Sequence, residues 1–506
     1  MVPLCRLIDR PRAGLDGQQG RALKMPQFVL LWTDLVVWLL LLVLAVYARQ
    51  VRRSPNLRAT WRRVFQNAPA LAASVVLVAG LLVTALDSAH FRPRLPDAGT
   101  GAGVAAAYDT RTLSLLDALL ARQVAMRESS YSVPLGYEGF TKESVTVDGV
   151  PSRTRPRLEF AGAHLEDPAR DWLPDLLLRA GTGALVGLAV WALLAALLAA
   201  AVARGQGGGW RAGASQLASG HTLLPWRPAL VVLALLCMLG GAVAVLMQHY
   251  HVLGTDRTGN DVFVQSLKSL RTAFVIGTLS TIATLPLAVG LGIAAGYFRG
   301  WIDEAVQYLY TMLSSVPNVL LIAACVLMVQ VFLDQHPELF ETGAERADLK
   351  LLVLCLILGL TGWAGLCRLL RAETLKLREL EYVQAAQAFG VGSWRIMARH
   401  VFPNVVHLVL ITTVLDFCAL VLYEAVLSYV GVGVDPSMNS FGGMINLARS
   451  EMSRDPLVWW SFASAFGFMV SLVLAANLFA DGVQDAFDPR ARIFRPRLAL
   501  KKRESA

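Results

Sequence analysis

Residues 369–404 read LLRAETLKLRELEYVQAAQAFGVGSWRIMARHVFPN and lie between two apolar runs that are each long enough to cross a bilayer. The stretch itself is rich in charged residues and helix formers, which places it outside the lipid as a connector. Its first half carries apolar residues at helical spacing: Leu375, Leu380, Val383, Ala386 and Phe389. This spacing predicts an amphipathic helix over 373–389 that ends at Gly390, and a second amphipathic segment over 394–401 leads to Pro403. We predict two short helices joined by a bend, with one side free to dock into a groove on a soluble partner.

The composition excludes an ordinary soluble domain. Of the 506 residues, 55% are hydrophobic and only 16% are charged, and the mean hydropathy is +0.51. We therefore expect an all-α polytopic membrane protein, with the lipid bilayer as its surroundings. The formal net charge of +9 does not indicate a nucleic-acid partner, because basic residues of membrane proteins concentrate in cytoplasmic loops and tails.

The sequence predicts no cofactor, no metal site and no enzymatic activity. Five of the six cysteines lie within or at the edges of apolar runs, and none has CxxC spacing, so we interpret them as small core residues. A Gly-rich connector follows residue 203, but the GxxxxGK[ST] pattern of a phosphate loop occurs nowhere in the chain. The chain therefore does not bind ATP in that manner.

Nine apolar runs have spanning length, and they cover residues 28–47, 68–86, 176–202, 228–247, 273–297, 306–333, 351–366, 405–429 and 460–480. Six arginines follow the first run: Arg49, Arg52, Arg53, Arg58, Arg62 and Arg63. They mark the next loop as cytoplasmic, so the polar segment 88–175 faces the periplasm, and the basic tail 493–506 lies in the cytoplasm. Basic residues before the first run argue against an external N-terminus, and translation from Met25 instead of Met1 would remove this conflict. Asp34, inside the first run, is interpreted as facing the interface or another helix.

Three segments resemble one family in the correct order. The string YVQAAQAFG, followed by RHVFPN, resembles the EAA loop of ABC importer permeases, in particular those of the dipeptide/oligopeptide transport family. HVLGTDRTGNDVF, residues 251–263, resembles the first external loop of that family, and NLFADGVQDAFDPRAR, residues 477–492, resembles its closing segment. The resemblance covers roughly residues 250–492. Two departures are Gln384 in place of the glutamate that names the loop and Asn260 in place of an arginine.

The resemblance implies that residues 369–404 form the coupling helix region, which seats in a cleft of an ATPase subunit. The residues to which the resemblance assigns contact with the ATPase are Glu381, Tyr382, Gln384, Ala385, Ala386, Gly390 and Pro403. It also implies an external loop or gate at Gly254, Thr255, Asp256, Gly259 and Asp261. There the glycines permit tight turns, and the two aspartates can accept backbone N–H bonds. We prefer this interpretation to a cation site formed by the two aspartates.

The partners that the resemblance implies are a second homologous permease subunit, two ATP-binding subunits and a periplasmic solute-binding protein. The implied location is the bacterial inner membrane. The implied fold is the six-helix core of a type I ABC importer permease, with extra N-terminal transmembrane helices and a periplasmic insertion. The substrate stays open among dipeptides, longer peptides, metal chelates and opine-like compounds.

We divide the chain accordingly, as follows: 1–65, extra span and basic loop; 66–87, a span; 88–175, periplasmic insertion; 176–227, a span and connector; 228–492, permease core; 493–506, basic tail. Residues 228–247 are the preferred first core helix because they lead directly into HVLGTD. Two explanations remain for WRRVFQNAPALA, which resembles the start of that helix in the family. Either it belongs to an inserted hairpin, or the insertion 88–227 separates the first core helix from its loop. Within the insertion, the pattern predicts a helix over 112–127 and strands over 143–147 and 157–160. By default the insertion is a small docking or spacer domain.

Three residues are candidates for the transport pathway. Pro317 is expected to kink its span, beside the pathway or merely in the packing. Asp416 and Glu424 lie on one span, eight positions apart, so they are about 80° apart around a helix. Asp416 is interpreted as facing a cavity, where a cationic amine of the substrate is a suitable partner. Glu424 is interpreted as a helix-to-helix contact or a substrate contact.

Two rival functions remain at this point. A proton-coupled secondary transporter would use Asp416 and Glu424 as proton sites. A structural or anchoring membrane protein would account for the large external insertion. Neither gives a reason for YVQAAQAFG to be followed by RHVFPN.

Overall fold

The computed structural model describes residues 27–94, 108–147, 150–204, 210–220, 222–340 and 342–487. The expectations about Met25, about residues 205–209 of the connector and about the tail 493–506 lie outside these residues. Within them, nine helical segments are long and apolar enough to cross a membrane, and the longest strands have five residues. The predicted polytopic helical class is confirmed.

The helices are numbered in chain order. They are α1 Trp32–Arg53, α2 Pro55–Gln66, α3 Ala68–Asp87, α4 Leu115–Leu119, α5 Ala121–Ala125, α6 Pro168–Arg204, α7 Trp210–Ser219, α8 Trp226–Leu246, α9 Val262–Phe298, α10 Gly300–Ser315, α11 Asn318–Gln335, α12 Gly343–Gly362, α13 Ala364–Arg378, α14 Glu381–Ala388, α15 Ser393–Ile396, α16 Phe402–Val430, α17 Phe441–Glu451 and α18 Trp460–Phe487. A 3₁₀ turn, Pro337–Leu339, precedes α12, and a π-helical turn, Met397–Val401, joins α15 to α16.

In the part of the chain that the structure describes, five short strands lie outside the spans. They are β1 Gln27–Val29, β2 His90–Arg92, β3 Leu113–Ser114, β4 Glu143–Val147 and β5 Val150–Thr154. β1, β2 and β3 form one antiparallel sheet, in which Phe28 lies opposite Phe91. β4 and β5 form a hairpin in the insertion. Because β1 pairs with the strand that follows α3, the first span begins on the same side as the insertion.

Helix α9 is the centre of the spanning bundle. It is 37 residues long, and α3, α12, α13 and α16 all pack against it. Small residues allow the close approach to α13: a Cβ at Gly296 would lie 2.7 Å from the carbonyl oxygen of Arg371. A helix that is apolar on all sides is stable when other helices cover it, which is the position of α9.

The two candidates for the first core helix pack differently. Helix α3 packs against α9 and α18, whereas α8, the preferred helix 228–247, packs mainly against α6 and the side of α3. This packing favours, of the two explanations for WRRVFQNAPALA, the one in which the insertion separates the first core helix from its external loop. Periodicity cannot distinguish α3 from α8, because both are apolar throughout.

Helices α6 and α8 form a closely packed hairpin on the outside of α3. The close approach depends on glycines. A Cβ at Gly183 would lie 2.5 Å from the carbonyl oxygen of Gly241, and a Cβ at Gly187 would overlap the carbonyl oxygen of Cys237. Small residues let helix backbones approach in a membrane, where burial of apolar surface gives no drive for association.

Three local predictions are wrong. The predicted span 306–333 is divided into α10 and α11 at Val316 and Pro317, because proline cannot supply the backbone donor that a continuous helix needs. The helix expected over 112–127 is instead β3, α4 and α5, where Ser114 and Asp117 form a capping box. The strand expected over 157–160 does not form, since the N–H groups of Glu159 and Phe160 bind a carboxylate instead.

A buried ionic cluster fastens the first span to the core. Arg271 of α9 donates to Asp34 Oδ1 (2.6 Å) and to Thr33 Oγ1 (2.9 Å) of α1, and it lies 3.6 Å from Asp348 Oδ1 of α12. Nδ1 of His90 lies 2.7 Å from the other oxygen of Asp34. Removing one partner of such a pair costs about 3–5 kcal/mol, because an uncompensated charge remains buried. The helix-facing interpretation of Asp34 therefore agrees with the packing.

A second buried cluster fastens the insertion to the external loop. The Glu128 carboxylate accepts the backbone N–H groups of residues 159–161, each at 3.0 Å. His251 Nδ1 lies 2.8 Å from Asp261 Oδ2, and its Nε2 lies 3.6 Å from Glu128 Oε1. Burial alone lowers the pKa of His251, but these two carboxylates outweigh it and raise the pKa to about 9. The imidazolium therefore joins the insertion to the loop at neutral pH.

We expect this contribution to stability to disappear at alkaline pH. Because the folded pKa of His251 is raised from 6.5 to about 9, the stabilisation is complete below pH 6.5 and is lost as the pH rises to 9. Its size is on the order of 3 kcal/mol. The measurement is the difference in melting temperature between the wild type and His251→Gln, taken once at pH 6.5 and once at pH 9.

His249→Gln is the matched control. Burial, assisted by Arg179, lowers the pKa of His249 to about 4, so this ring is uncharged at both pH values. The difference between wild type and His249→Gln should change by only about 0.4 kcal/mol between pH 6.5 and pH 9, because only the unfolded chain binds a proton at this position in that range. A difference for His251→Gln that is equally large at pH 9 would contradict the assignment.

We expect Gly187→Val to separate α6 from α8, because the new side chain would meet the backbone of Cys237. Overpacking of this kind costs about 1–3 kcal/mol. Gly181→Val is the control, since Gly181 lies on the same helix with nothing within 4 Å of its Cβ position. Thermal unfolding in detergent should show a lower midpoint for Gly187→Val alone, and equal midpoints for the two variants would refute the close packing.

Candidate functional site

The connector 369–404 comprises the last ten residues of α13, then α14, α15, the π-helical turn and the first three residues of α16. The helix expected over 373–389 is in fact two helices: α13 continues from the membrane span to Arg378, and α14 begins after Leu380, whose backbone is extended. Gly390 ends α14 with φ of +72°, a conformation that favours glycine, as the sequence predicts. The second predicted segment is present as α15 and the π-helical turn, which lead into Pro403 at the start of α16.

The connector has one buried side and one exposed side. Val383 is fully buried against Ile396 and Val401 in a core cluster. The coupling positions Glu381, Tyr382, Gln384, Ala385, Gly390 and Pro403 are exposed, and Ala386 is half-buried. Gln384 donates its side-chain amide to the carbonyl oxygen of Glu379 at 3.2 Å.

Two aromatic residues that we did not include among the coupling positions are the most prominent on the exposed side. Phe389 is 86% exposed and Trp394 is 80% exposed, one on either side of the Gly390 bend. Phe389 fits the helical spacing of the apolar face, so periodicity assigned it to the buried side incorrectly. Two large aromatic side chains exposed on either side of one bend make this face a candidate docking surface.

The connector is attached to the turn between α9 and α10. Arg371 of α13 donates to Asp303 of α10, with Nη2 2.7 Å from Oδ2, and Arg299 pairs with Glu379. The Arg371 guanidinium lowers the pKa of Asp303 below its ordinary value. Arg378 donates to the carbonyl oxygen of Tyr297 at 2.9 Å. These contacts are not predictable from local sequence patterns, because the paired residues are far apart in the chain.

The external loop has the turns that the sequence predicts. Gly254 and Gly259 have φ of +70° and +76°. Asp256 accepts the N–H groups of Thr258 and Asn260 at 2.8 and 2.9 Å, and Asp261 caps α9 by accepting those of Phe263 and Val264. Thr255 accepts the N–H of Ser132 at 2.6 Å, and its hydroxyl lies 2.8 Å from the carbonyl oxygen of Ser130. Each of these side chains is therefore used in a turn, a cap or a contact with the insertion.

The three pathway candidates occupy different environments. Pro317 begins α11 at the break described above. Glu424 is buried and accepts hydrogen bonds from Ser428, at 2.7 Å, from Ser440 and from the backbone of Gly442, so it joins α16 to α17. Asp416 lies in the middle of α16, is half-buried and has no hydrogen-bond or ionic partner among the described residues. The structure does not bring the three together.

Two cavities open at the external end, with volumes of about 510 and 850 Å³. Both are lined by Lys350 of α12 and by Asp435 in the loop between α16 and α17, and these side chains form an ion pair with Nζ 2.9 Å from Oδ2. Burial alone raises the pKa of Asp435, but Lys350 outweighs it and holds the pKa below the ordinary value. Neither residue belongs to a motif, so sequence analysis did not find them. The described residues contain no group of three or more His, Cys, Asp or Glu side chains placed to hold a metal ion.

The chain is similar in sequence to known transport proteins. Residues 288–493 match the family described as binding-protein-dependent transport system inner membrane component. The oligopeptide transport system permease protein OppC of Mycobacterium tuberculosis is 31% identical over 245 residues, which are 48% of this chain and 78% of that protein. The glutathione transport system permease protein GsiD of Pectobacterium atrosepticum is 31% identical over 242 residues, 48% and 73% of the two chains. OppC of Haemophilus influenzae is 28% identical over 251 residues, 50% and 74%.

The family match runs from the end of α9 through α18 and includes the connector. Proteins of this kind are the membrane components of ABC importers and work with ATP-binding and solute-binding partners, without catalysing the hydrolysis themselves. The exposed connector, the nine candidate spans and the sequence similarity lead to one conclusion. The chain belongs to the family of inner membrane permease components of binding-protein-dependent transport systems.

Proposed function

We propose that this chain is the permease subunit of an ATP-driven importer of peptides or a related small solute, and that residues 369–404 transmit motion from an ATPase. The observation that carries this proposal is the two-sided connector. Phe389 and Trp394 are exposed on one side, while Arg371 and Arg378 attach it to the end of α9 and the start of α10. A docked ATPase would thus move the central helix of the bundle.

The proposed partners are a second homologous permease, two ATP-binding subunits and a periplasmic solute-binding protein. The proposed six-span core consists of α3, α9, α10 with α11, α12 with α13, α16 and α18. On this assignment the insertion and the hairpin of α6 and α8 lie between the first and second core spans.

Motion would reach the external side by two routes. Helix α16 begins at the end of the connector, at Phe402. Near its other end it carries Glu424, which bonds to α17. Helix α9 begins at the external loop, capped by Asp261, and ends at the turn that the connector holds. Closing the ATPases would shift both helices together and open the external cavities toward the solute-binding protein. Binding energy at one site changes the populations of the open and closed states at the other.

The proposed substrate class rests on the relatives and on Asp416. The relatives are named for oligopeptide and glutathione transport. A carboxylate within a span is costly unless it has a partner or faces water, and Asp416 has no partner among the described residues. We assign it to the pathway, where a free amino group of a peptide is the complementary charge.

We expect Gly390→Pro to uncouple the connector. Proline cannot adopt φ of +72° and removes the N–H that Gly390 donates to the carbonyl oxygen of Gln387 at 2.9 Å. The tagged chain should then lose its co-purifying ATPases, or retain them without substrate-stimulated hydrolysis.

Gly392→Pro is the matched control. Gly392 has φ of −59°, which suits proline, and its N–H makes no backbone hydrogen bond among the described residues. This variant should retain both the ATPases and their activity. Full activity in Gly390→Pro would remove the connector from the coupling mechanism.

We expect Asp416→Asn to reduce the preference for peptides with a free amino group over their N-acetylated forms by roughly tenfold, the equivalent of one lost charge pair. The measurement is the uptake rate with the solute-binding protein saturated. Glu424→Gln is the control, because Glu424 bonds to α17 and should affect stability instead of preference. An unchanged preference in Asp416→Asn would take Asp416 out of the pathway.

A further inference from the structure

The cytoplasmic elbow formed by the end of α1 and by α2 carries a row of uncompensated positive charge. Between Asp34 and Asp87 the chain has no acidic residue and six arginines: Arg49, Arg52, Arg53, Arg58, Arg62 and Arg63. All six are exposed, and none has an ionic partner among the described residues. This differs from Arg299 and Arg371 at the connector, which are both paired.

The elbow is held rigidly against the core. Val64 of α2 is fully buried against Val483 and Ala486 at the cytoplasmic end of α18. Trp61 contacts the rings of Phe479 and Phe487. Since Val64 and Trp61 fix one face of the 12-residue helix, Arg62 and Arg63 on the opposite face and Arg58 on its flank are held outward.

The elbow also lies at the level of the lipid headgroups. Helix α1 has 22 residues and so spans about 33 Å, close to the thickness of the hydrocarbon core, and Arg52 and Arg53 form its last turn. Trp61 donates its indole N–H to the hydroxyl of Tyr47 at 3.0 Å. Paired Trp and Tyr side chains are typical of the interface between hydrocarbon and headgroups. The arginines of the elbow therefore lie in the plane where phosphates are found.

We propose that the elbow binds the phosphate headgroups of anionic phospholipids in the inner leaflet. The guanidinium group donates two parallel hydrogen bonds to a phosphate, and each basic residue next to an anionic surface adds to the attraction. Cytoplasmic loops of membrane proteins are generally enriched in basic residues, and this rule alone explains why arginines occur on this side. The rule does not explain why six arginines lie on one elbow with no acidic residue among them.

The site would have a structural consequence. Helix α2 connects directly to α3 and packs on α18, two of the proposed core spans. A bound headgroup layer would fix the cytoplasmic ends of these two helices while the connector moves. This inference does not depend on the identity of the transported solute.

The test is native mass spectrometry of the full chain in detergent, titrated with phosphatidylglycerol and separately with phosphatidylcholine. The wild type should bind phosphatidylglycerol preferentially. The triple variant Arg58→Gln/Arg62→Gln/Arg63→Gln should lose roughly 100-fold in affinity, about fivefold for each arginine. The same three positions changed to Lys should retain most of the binding, because the charge remains.

Arg153→Gln/Arg155→Gln is the matched control, since these arginines are exposed on the external insertion. It should bind phosphatidylglycerol as the wild type does. Equal binding by the wild type and the triple Gln variant would overturn the proposal. Displacement of the lipid by an equal concentration of inorganic phosphate would also overturn it, in favour of a soluble anion. If the triple Gln variant loses its co-purifying ATPase but still binds the lipid, the arginines bind a protein partner instead.

Discussion

The attachment of the connector to the turn between α9 and α10 is the contact on which the proposed mechanism depends. Arg371 donates to Asp303, and Arg378 donates to the carbonyl oxygen of Tyr297, so the connector is bonded directly to the end of α9 and to α10. Charge-assisted hydrogen bonds are stronger than neutral ones and restrict geometry, which suits a mechanical link. The exposed aromatic side of the same connector is free to receive a partner.

The external end of α9 is restrained just as firmly, by buried charges. Arg271 binds Asp34 of the first span, and Asp261 binds His251, which contacts Glu128 of the insertion. Burying such groups is costly unless each has a partner, and Asp34 and Glu128 come from the first span and the insertion, which precede the matched residues 288–493. The first span and the insertion are therefore integral to the fold, because they complete ionic clusters that α9 and the external loop begin.

The sequence predicts the parts of this account that depend on local pattern. Hydropathy locates nine spans, glycine and aspartate locate the turns of the external loop, and Gly390 locates the bend of the connector. What depends on distant pairing was not predictable: Arg271 and Asp34 are 237 positions apart, and Arg371 and Asp303 are 68 apart. A helix that is apolar throughout has no hydrophobic periodicity to indicate which side packs against its neighbours. The contacts of α3 with α9 and α18 are therefore seen only in the structure. The break at Leu380 has no glycine or proline to announce it.

The most direct test of the central claim is uptake into proteoliposomes that contain the complex purified through this chain, together with its solute-binding protein. ATP is supplied on the side of the connector, and a proton gradient is imposed in a parallel experiment. The account predicts that uptake requires ATP and is unaffected when a protonophore removes the gradient. Uptake that a proton gradient drives without ATP would contradict it.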